Sequence, residues 1–286
     1  MSRYYTALRL AERIPPALWR PALWLGGHAA ALRPPRPLRQ WQLNAATVTG
    51  TAPGHMLTAR AATSWGRNLF ESVQLGRWSA DQVERTVVVD PAGRQRLFGA
   101  HRDGGVVVAL PHTGSWDLAG AWACRNGLPV STVAEELDAE EFGFFVAVRE
   151  ALGMKVYGHR DPTVVGRLER DLREGRVVCL LSDRNFGRRG TPVQWPVAEG
   201  STTVRMPGGA AHLAVSTGAT LLGIACRYEG RRMRLVVSEP IRPPADGADP
   251  LVAMNQQLAD FFGEQVRDGV EDWHMLQRFF PGVVAR

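Results

Sequence analysis

The chain has three cysteines, one lysine and no run of eighteen apolar residues, and these shortages narrow what it can be. Cys124, Cys179 and Cys226 lie far apart in apolar stretches, without the Cys-x-x-Cys or His/Cys spacing of a zinc site. They read as reduced core residues of a cytosolic chain rather than as a disulfide framework. The longest tempting apolar piece, residues 21–32, carries His28 and two glycines and is too short to span a bilayer. A secretory signal is not indicated, because Arg3, Arg9, Arg13 and Arg20 recur through the amino terminus. Neither a P-loop nor a Gly-x-Gly-x-x-Gly fingerprint is present, which weakens nucleotide hydrolysis and dinucleotide redox chemistry. A Gly-x-Ser-x-Gly elbow is missing as well, so Ser115 is a poor serine nucleophile.

The 286 residues are 45% hydrophobic, ample for a packed core, and carry a net charge of +6. Lys155 is the single lysine, so nearly all positive charge is arginine. That balance permits nucleic acid, anionic lipid or a phosphorylated substrate as partner and does not choose among them. No aromatic-basic recognition motif supports nucleic acid, and no partner of that kind is expected.

The first forty residues alternate arginines with Tyr4, Tyr5, Leu8, Leu10, Ile14, Trp19, Trp24 and Leu25, interrupted by Pro15, Pro16 and Pro21. Short amphipathic helices lying on a membrane surface fit this pattern. Helices packed on the domain with basic faces in water fit it equally. Further helices are expected over 38–46 and 55–75, after which strands and helices alternate. Strands are expected at 86–89, 106–110, 130–133, 154–157 and 176–181, helices at 91–102, 116–125, 140–152, 163–174 and 207–217. A hairpin of 220–228 and 233–238 around Glu229-Gly230 follows, then a last helix from Pro250 to Arg267. This alternation predicts an α/β fold: a central, mostly parallel sheet flanked by helices on both faces, with ligands at the carboxyl ends of the strands.

Three candidate loops fall at such strand ends. After Val106 to Leu110 comes Pro111-His112-Thr113-Gly114-Ser115-Trp116-Asp117, which delivers an imidazole and a carboxylate into one turn. A positioned histidine takes a proton from a hydroxyl and returns it to a leaving group, and an aspartate beside it stabilises the imidazolium. Gly114, Ser115 and Asp117 fall near the first turn of the next helix, where free N–H groups favour an oxyanion. The plainer reading is a loop histidine whose Asp117 caps that helix. Asp183 and Arg184 leave a buried run, where a charged pair needs partners; an Asp capping a turn beside a solvated Arg is the alternative. Glu135 follows a third strand. Arg149, on a helix, suits bidentate phosphate contact or simply water. His274, in Asp272-Trp273-His274-Met275-Leu276-Gln277, reads as a satisfied histidine in a docking segment.

Taken together these segments resemble the bacterial lipid A biosynthesis acyltransferases that carry a His-x4-Asp motif, and among them the phosphatidylinositol mannoside acyltransferases. The resemblance rests on Ala109 through His112, Trp116-Asp117, Thr132 through Glu135, Val148 through Met154, Val177 through Leu180, Arg205 through Pro207, Thr217 through Ala219, and Asp272 through Gln277. It implies a glycerolipid acyltransferase-like α/β domain over 81–286, preceded by a helical, membrane-associating segment over 1–80. It also implies transfer of a fatty acyl group from acyl-CoA to a hydroxyl of a membrane glycolipid at the cytoplasmic face of the inner membrane, by a peripheral protein. His112 is then the general base, Asp117 its support, and Asp183 stands where the family pairs a glutamate with the histidine. Arg149 matches an arginine lining the groove and Glu135 a glutamate near the site; Arg184, from its strand-end position, is a further candidate for substrate binding, and the oxyanion meets N–H groups near Gly114 and Ser115. No metal and no cofactor beyond the co-substrate acyl-CoA are required. Asp183 is one methylene shorter than the family's glutamate, Asn185-Phe186 replace an acidic residue and leucine, and Trp195 through Gly200 replaces a Phe-Phe-Gly pattern. A non-catalytic acyl-CoA or lipid binder, or a transferase with another acceptor, remains the alternative.

Overall fold

The computed structural model describes residues 11–136, 139–185, 190–245 and 247–285. Tyr4, Tyr5, Leu8, Leu10 and Phe186, which entered the sequence argument, lie outside these. Ten helices occur among the described residues: α1 (Pro16–Leu32), α2 (Arg36–Thr49), α3 (His55–Gln74), α4 (Ala80–Thr86), α5 (Pro91–Arg102), α6 (Trp116–Arg125), α7 (Ala139–Ala151), α8 (Val164–Arg173), α9 (Gly209–Thr217) and α10 (Pro250–Asp268). The strands are β1 (Val87–Val89), β2 (Val106–Leu110), β3 (Val130–Ala134), β4 (Lys155–Gly158), β5 (Val177–Leu181), β6 (Thr191–Pro196), β7 (Ser201–Met206), β8 (Thr220–Glu229) and β9 (Arg232–Val237).

Seven strands form one sheet in the order β1-β9-β8-β2-β5-β3-β4. Strand β2 lies between β5 and β8, parallel to both, and every one of its residues is buried. A continuous apolar strand of this kind is what a sheet covered on both faces requires. Val106, Val108 and Leu110 point into one apolar cluster with α5 and α6 residues such as Leu97 and Trp122. Val107 and Ala109 point into the other, with α2, α8, α9 and α10. The sheet is parallel except where β8 and β9 form the anticipated hairpin. Its turn contains Gly230 at φ 58, the positive region that a tight hairpin turn demands.

Two expectations need correction. The amino-terminal prolines do not break the chain into short helices: α1 is a single helix with Pro21 inside it. Packing against α3 sustains it. Gly27 lies so close to α3 that a Cβ there would sit 2.3 Å from Thr63 Oγ1, and Gly66 of α3 would meet Leu23 at 2.7 Å. The second correction is an unanticipated hairpin, β6 and β7, with Val193 paired to Val204. Val193, Trp195, Val204 and Met206 alternate inward, but Pro192 and Pro196 obscured that period-two pattern. Leu38, Trp41, Ala45, Val48 and Ala61, which precede the sheet in sequence, share a cluster with β2 and α10 residues.

Candidate active site

Strand register builds the site. Leu110 of β2 pairs with Leu181 of β5, so His112 and Asp183 each stand two residues beyond paired strand ends. Ser182 N–H donates to the Leu110 carbonyl (2.8 Å), continuing the ladder into the loops. The carboxylate then grips the histidine twice. Asp183 Oδ1 lies 2.5 Å from His112 Nδ1, and Oδ2 accepts the His112 backbone N–H at 2.9 Å. The imidazole's Nε2 is left as the nitrogen available to a substrate.

Asp183 is wholly buried. Burial pushes its carboxyl up, but His112 and the N–H donors around it prevail and hold it below the ordinary carboxylate range. A permanent carboxylate at Nδ1 fixes the tautomer and favours imidazolium formation when Nε2 takes a proton. The substitution of aspartate for the family's glutamate therefore still closes the contact.

Asp117 does something else, which corrects its expected role. Its two oxygens accept from Arg149 Nε (2.7 Å) and Nη2 (3.1 Å), a bidentate ion pair between α6 and α7. Burial lowers the guanidinium's affinity for its proton, and the neighbouring Asp117 reverses that, leaving Arg149 more firmly charged than usual. Arg149 is consequently paired rather than solvated. Glu135 and Arg184 form a second bridge, with Nη2 to Oε2 at 2.8 Å. The three strand-end loops therefore do converge, but as His112–Asp183 flanked by two arginine–carboxylate pairs.

The oxyanion expectation at Gly114 and Ser115 also fails geometrically. Gly114 N–H donates to the Asp272 carbonyl (2.9 Å) and Ser115 N–H points at Met233 Sδ (3.3 Å). Ser115 is buried, and its Oγ accepts from Leu118 N–H as the cap of α6. Donors of the following residues, Trp116 and Asp117, belong to the first helical turn, where an α-helix offers no internal acceptor. Gly114 itself has φ 53, and a Cβ there would lie 2.7 Å from the Cys226 carbonyl, so the turn needs glycine.

A cavity of about 600 Å³ opens beside this constellation. His112, Trp116, Asp117, Glu135, Arg149 and Arg184 line it, and its apolar wall runs through Leu110, Trp122, Val130, Met154 and Val177. Val130 and Val177 begin their strands, so the wall spans the full length of β3 and β5. Among the described residues no three His, Cys, Asp or Glu side chains gather as metal ligands.

Sequence reasoning marked the carboxy-terminal strap as a docking segment but missed what it docks on. After a short 3-10 turn at Val270–Asp272, Trp273 pairs with Thr113 as an isolated antiparallel bridge, and His274 N–H donates to the His112 carbonyl (2.7 Å). Trp273 Nε1–H donates to Asp183 Oδ2 at 3.1 Å. His274 docks as expected but is not fully satisfied: Nε2 meets Ser64 Oγ at 3.1 Å while the buried Nδ1 has no partner among the described residues. Burial, with His112 nearby, pushes His274 down to about 3. The signal for the strap was its unusual Asp-Trp-His composition, but 160 intervening residues gave no hint of its target.

The sequence model for bacterial lipid A biosynthesis acyltransferases matches residues 40–281, and the chain belongs to that family. It is an acyltransferase. A phosphatidylinositol mannoside acyltransferase of Mycolicibacterium smegmatis is 34% identical over 96% of this chain and 89% of its own length. One of the same name from Mycobacterium tuberculosis is 37% identical over 83% of this chain and 75% of its own.

Proposed function

We propose that the protein transfers a fatty acyl group from acyl-CoA to a hydroxyl of a membrane glycolipid, of the phosphatidylinositol mannoside class carried in its relatives' names. The observation that carries this reading is His112, backed by the buried Asp183 carboxylate, in the wall of a largely apolar cavity. Nε2 of His112 removes the acceptor's hydroxyl proton as the oxygen attacks the thioester carbonyl. The tetrahedral oxyanion is met by the first-turn N–H groups of α6 at Trp116 and Asp117. Collapse breaks the C–S bond, the imidazolium returns its proton to sulfur, and free CoA and the acylated lipid leave. The apolar wall takes the acyl chain, while Arg149 and Arg184, each neutralised by a carboxylate, keep the rim polar.

Attachment to the cytoplasmic membrane face completes the proposal. Leu18, Ala22, Leu25, Ala29 and Leu32 of α1 follow helical spacing and are exposed, and Trp24 stands beside them. Arg33, Arg36 and Arg39 are exposed at the adjoining helix end. An apolar stripe edged by arginine suits peripheral binding to anionic lipid. No described helix is long and apolar enough to cross a membrane.

Palmitoyl-CoA mixed with a panel of lipid acceptors tests the chemistry through free CoA release. Acceptor-dependent release is expected from the wild type and about 10²–10⁴-fold less from His112→Ala. Equal release from both proteins would overturn the base assignment, and its absence from the wild type with retained acyl-CoA binding would favour the non-catalytic binder.

A further inference from the structure

The strap touches both halves of the catalytic pair. From the main chain, Asp272 O and His274 N–H bond to Gly114 N–H and His112 O, bracketing Thr113 on either side. From its side chain, Trp273 reaches the oxygen of Asp183 that also accepts the His112 backbone N–H. Trp273 is fully buried, with its ring 6.1 Å from that of Trp195 in near-parallel stacking. It does not line the cavity and is not placed to touch a substrate.

The strap is in turn held from outside. Trp41 Nε1–H of α2 donates to the Trp273 carbonyl (3.0 Å), and Asn44 Nδ2 donates to the carbonyls of Met275 and Gln277 at 2.9 and 2.8 Å. Gln40 secures the chain end through the Val283 carbonyl and the Ala285 N–H. All five of these bonds join side chains of α2, a helix that precedes the sheet in sequence, to the backbone of the last twenty residues. A loop held at so many points has one geometry.

We propose that Trp273 is a positioning residue: its indole N–H fixes the Asp183 carboxylate toward His112 Nδ1 and tunes the basicity of the pair, with α2 and the strap as its mount. Oδ2 takes two bonds away from the cavity, one from the His112 backbone N–H and one from the indole, and of the two only the indole is a side-chain donor anchored outside the loop. Outer partners of this type hold a tautomer and a direction together, and losing one commonly lowers activity about 10–100-fold. Withdrawing an N–H donor makes a carboxylate more basic, and a more basic carboxylate raises the affinity of the adjoining imidazole for its proton.

Trp273→Phe keeps an aromatic ring in place and removes the donor. Its kcat is expected to fall about 10–100-fold with KM for palmitoyl-CoA unchanged, and the acid limb of its pH–rate profile to move up by roughly half a unit to one unit. In an Asp183→Asn background the same substitution should cause little further loss, because the group it acts through is already disabled. An unmoved acid limb together with an equal loss in both backgrounds would overturn the proposal and leave Trp273 a packing residue.

The kinetic arm rests on His112 acting as the proposed base, so a second measurement stands apart from turnover. In indole-¹⁵N-labelled protein, one of the nine tryptophan N–H resonances should shift markedly in Asp183→Asn. If no indole resonance responds to that change, the contact is absent and the proposal fails, whatever the acyl-transfer assay gives. A responding resonance with no detectable turnover in the wild type would instead count against the proposed reaction alone.

Discussion

The crevice at the ends of β2 and β5 and the exposed face of α1 are built on opposite principles. In the crevice each charged side chain has a named partner: His112 with Asp183, Asp117 with Arg149, Glu135 with Arg184. On α1, Leu18, Leu25 and Leu32 are 65, 61 and 78% exposed and touch nothing that needs them. Over-determined geometry marks where bonds are made and broken, because a catalytic constellation tolerates little displacement. Unpartnered apolar surface marks where the protein meets something larger than itself. One substitution should therefore disable chemistry in the first region and leave the fold untouched in the second.

The largest expected effect breaks the crevice at its centre. Asp183→Asn keeps the shape but removes the charge that stabilises the imidazolium, so acyl transfer should drop about 10²–10⁴-fold in a CoA-release assay while the fold persists. Next is Arg149→Ala, which leaves Asp117 buried without its counter-charge. Breaking a buried ion pair from one side costs about 3–5 kcal/mol, read as a lower urea midpoint. Asp117→Asn should cost less, since the amide oxygen can still accept from Arg149 although the guanidinium loses its counter-charge. If both substitutions proved neutral in stability and harmful only to turnover, the pair would be part of the chemistry rather than its frame.

The strap offers a pH test of the same comparison, because burial there shifts two titratable groups toward their neutral forms. Burial pushes Asp272 up to about 6 from 3.8, against hydrogen bonds from Ser64 and the Tyr228 N–H. The unfolded carboxyl ionises first as pH rises, so stability falls between about pH 4 and 6 and is level above that. His274 runs the other way. Its imidazole is held at about 3 against 6.5 when unfolded, so stability falls as pH drops from about 6.5 toward 3. The two slopes oppose each other over the same window. Replacing His274 with Gln should expose the Asp272 slope, giving a variant that gains stability on acidification from pH 6 to 4, where the wild type stays flatter in urea midpoint.

Much of this was legible in the chain. The strand Val106–Leu110 and the helices Pro91–Arg102 and Trp116–Arg125 have the bounds read from apolar periodicity, because buried strands and capped helices carry local signals. His112, Asp183, Glu135 and Arg184 were placed at strand ends by the same logic. What the sequence withheld was pairing across distance. Asp117 lies five residues from His112 and yet bonds to Arg149, because the helix that begins at Trp116 turns its carboxylate toward α7. Gly114 and Ser115 were read as open donors, but Asp272 and Met233 occupy them from elements more than a hundred residues away. Trp273 carried no chemistry of its own in the sequence and gains a role only from its contact with Asp183.

The exposed helix gives the smaller effects. Gly27→Ala tests its attachment: the added Cβ would press on Thr63 Oγ1 and, at 2.7 Å, on the Ala59 carbonyl, which being backbone yields little. Overpacking of this kind costs about 1–3 kcal/mol, seen as a reduced thermal midpoint. Leu25→Ser, two residues away and on the open side of the same helix, should change stability by less than about 0.5 kcal/mol, since it removes no packed contact. Its consequence belongs to the membrane instead. In co-sedimentation with anionic vesicles the Leu25→Ser protein should bind several-fold more weakly, by roughly the 25 cal/mol per Å² that apolar burial contributes. Acyl transfer to a short-chain soluble acceptor should be unchanged in the same protein. Unaltered vesicle binding in a Leu18, Leu25 and Leu32 triple serine variant would show that the open face of α1 meets no bilayer, and the contrast between the two regions would then lie between a catalytic surface and a protein-docking one.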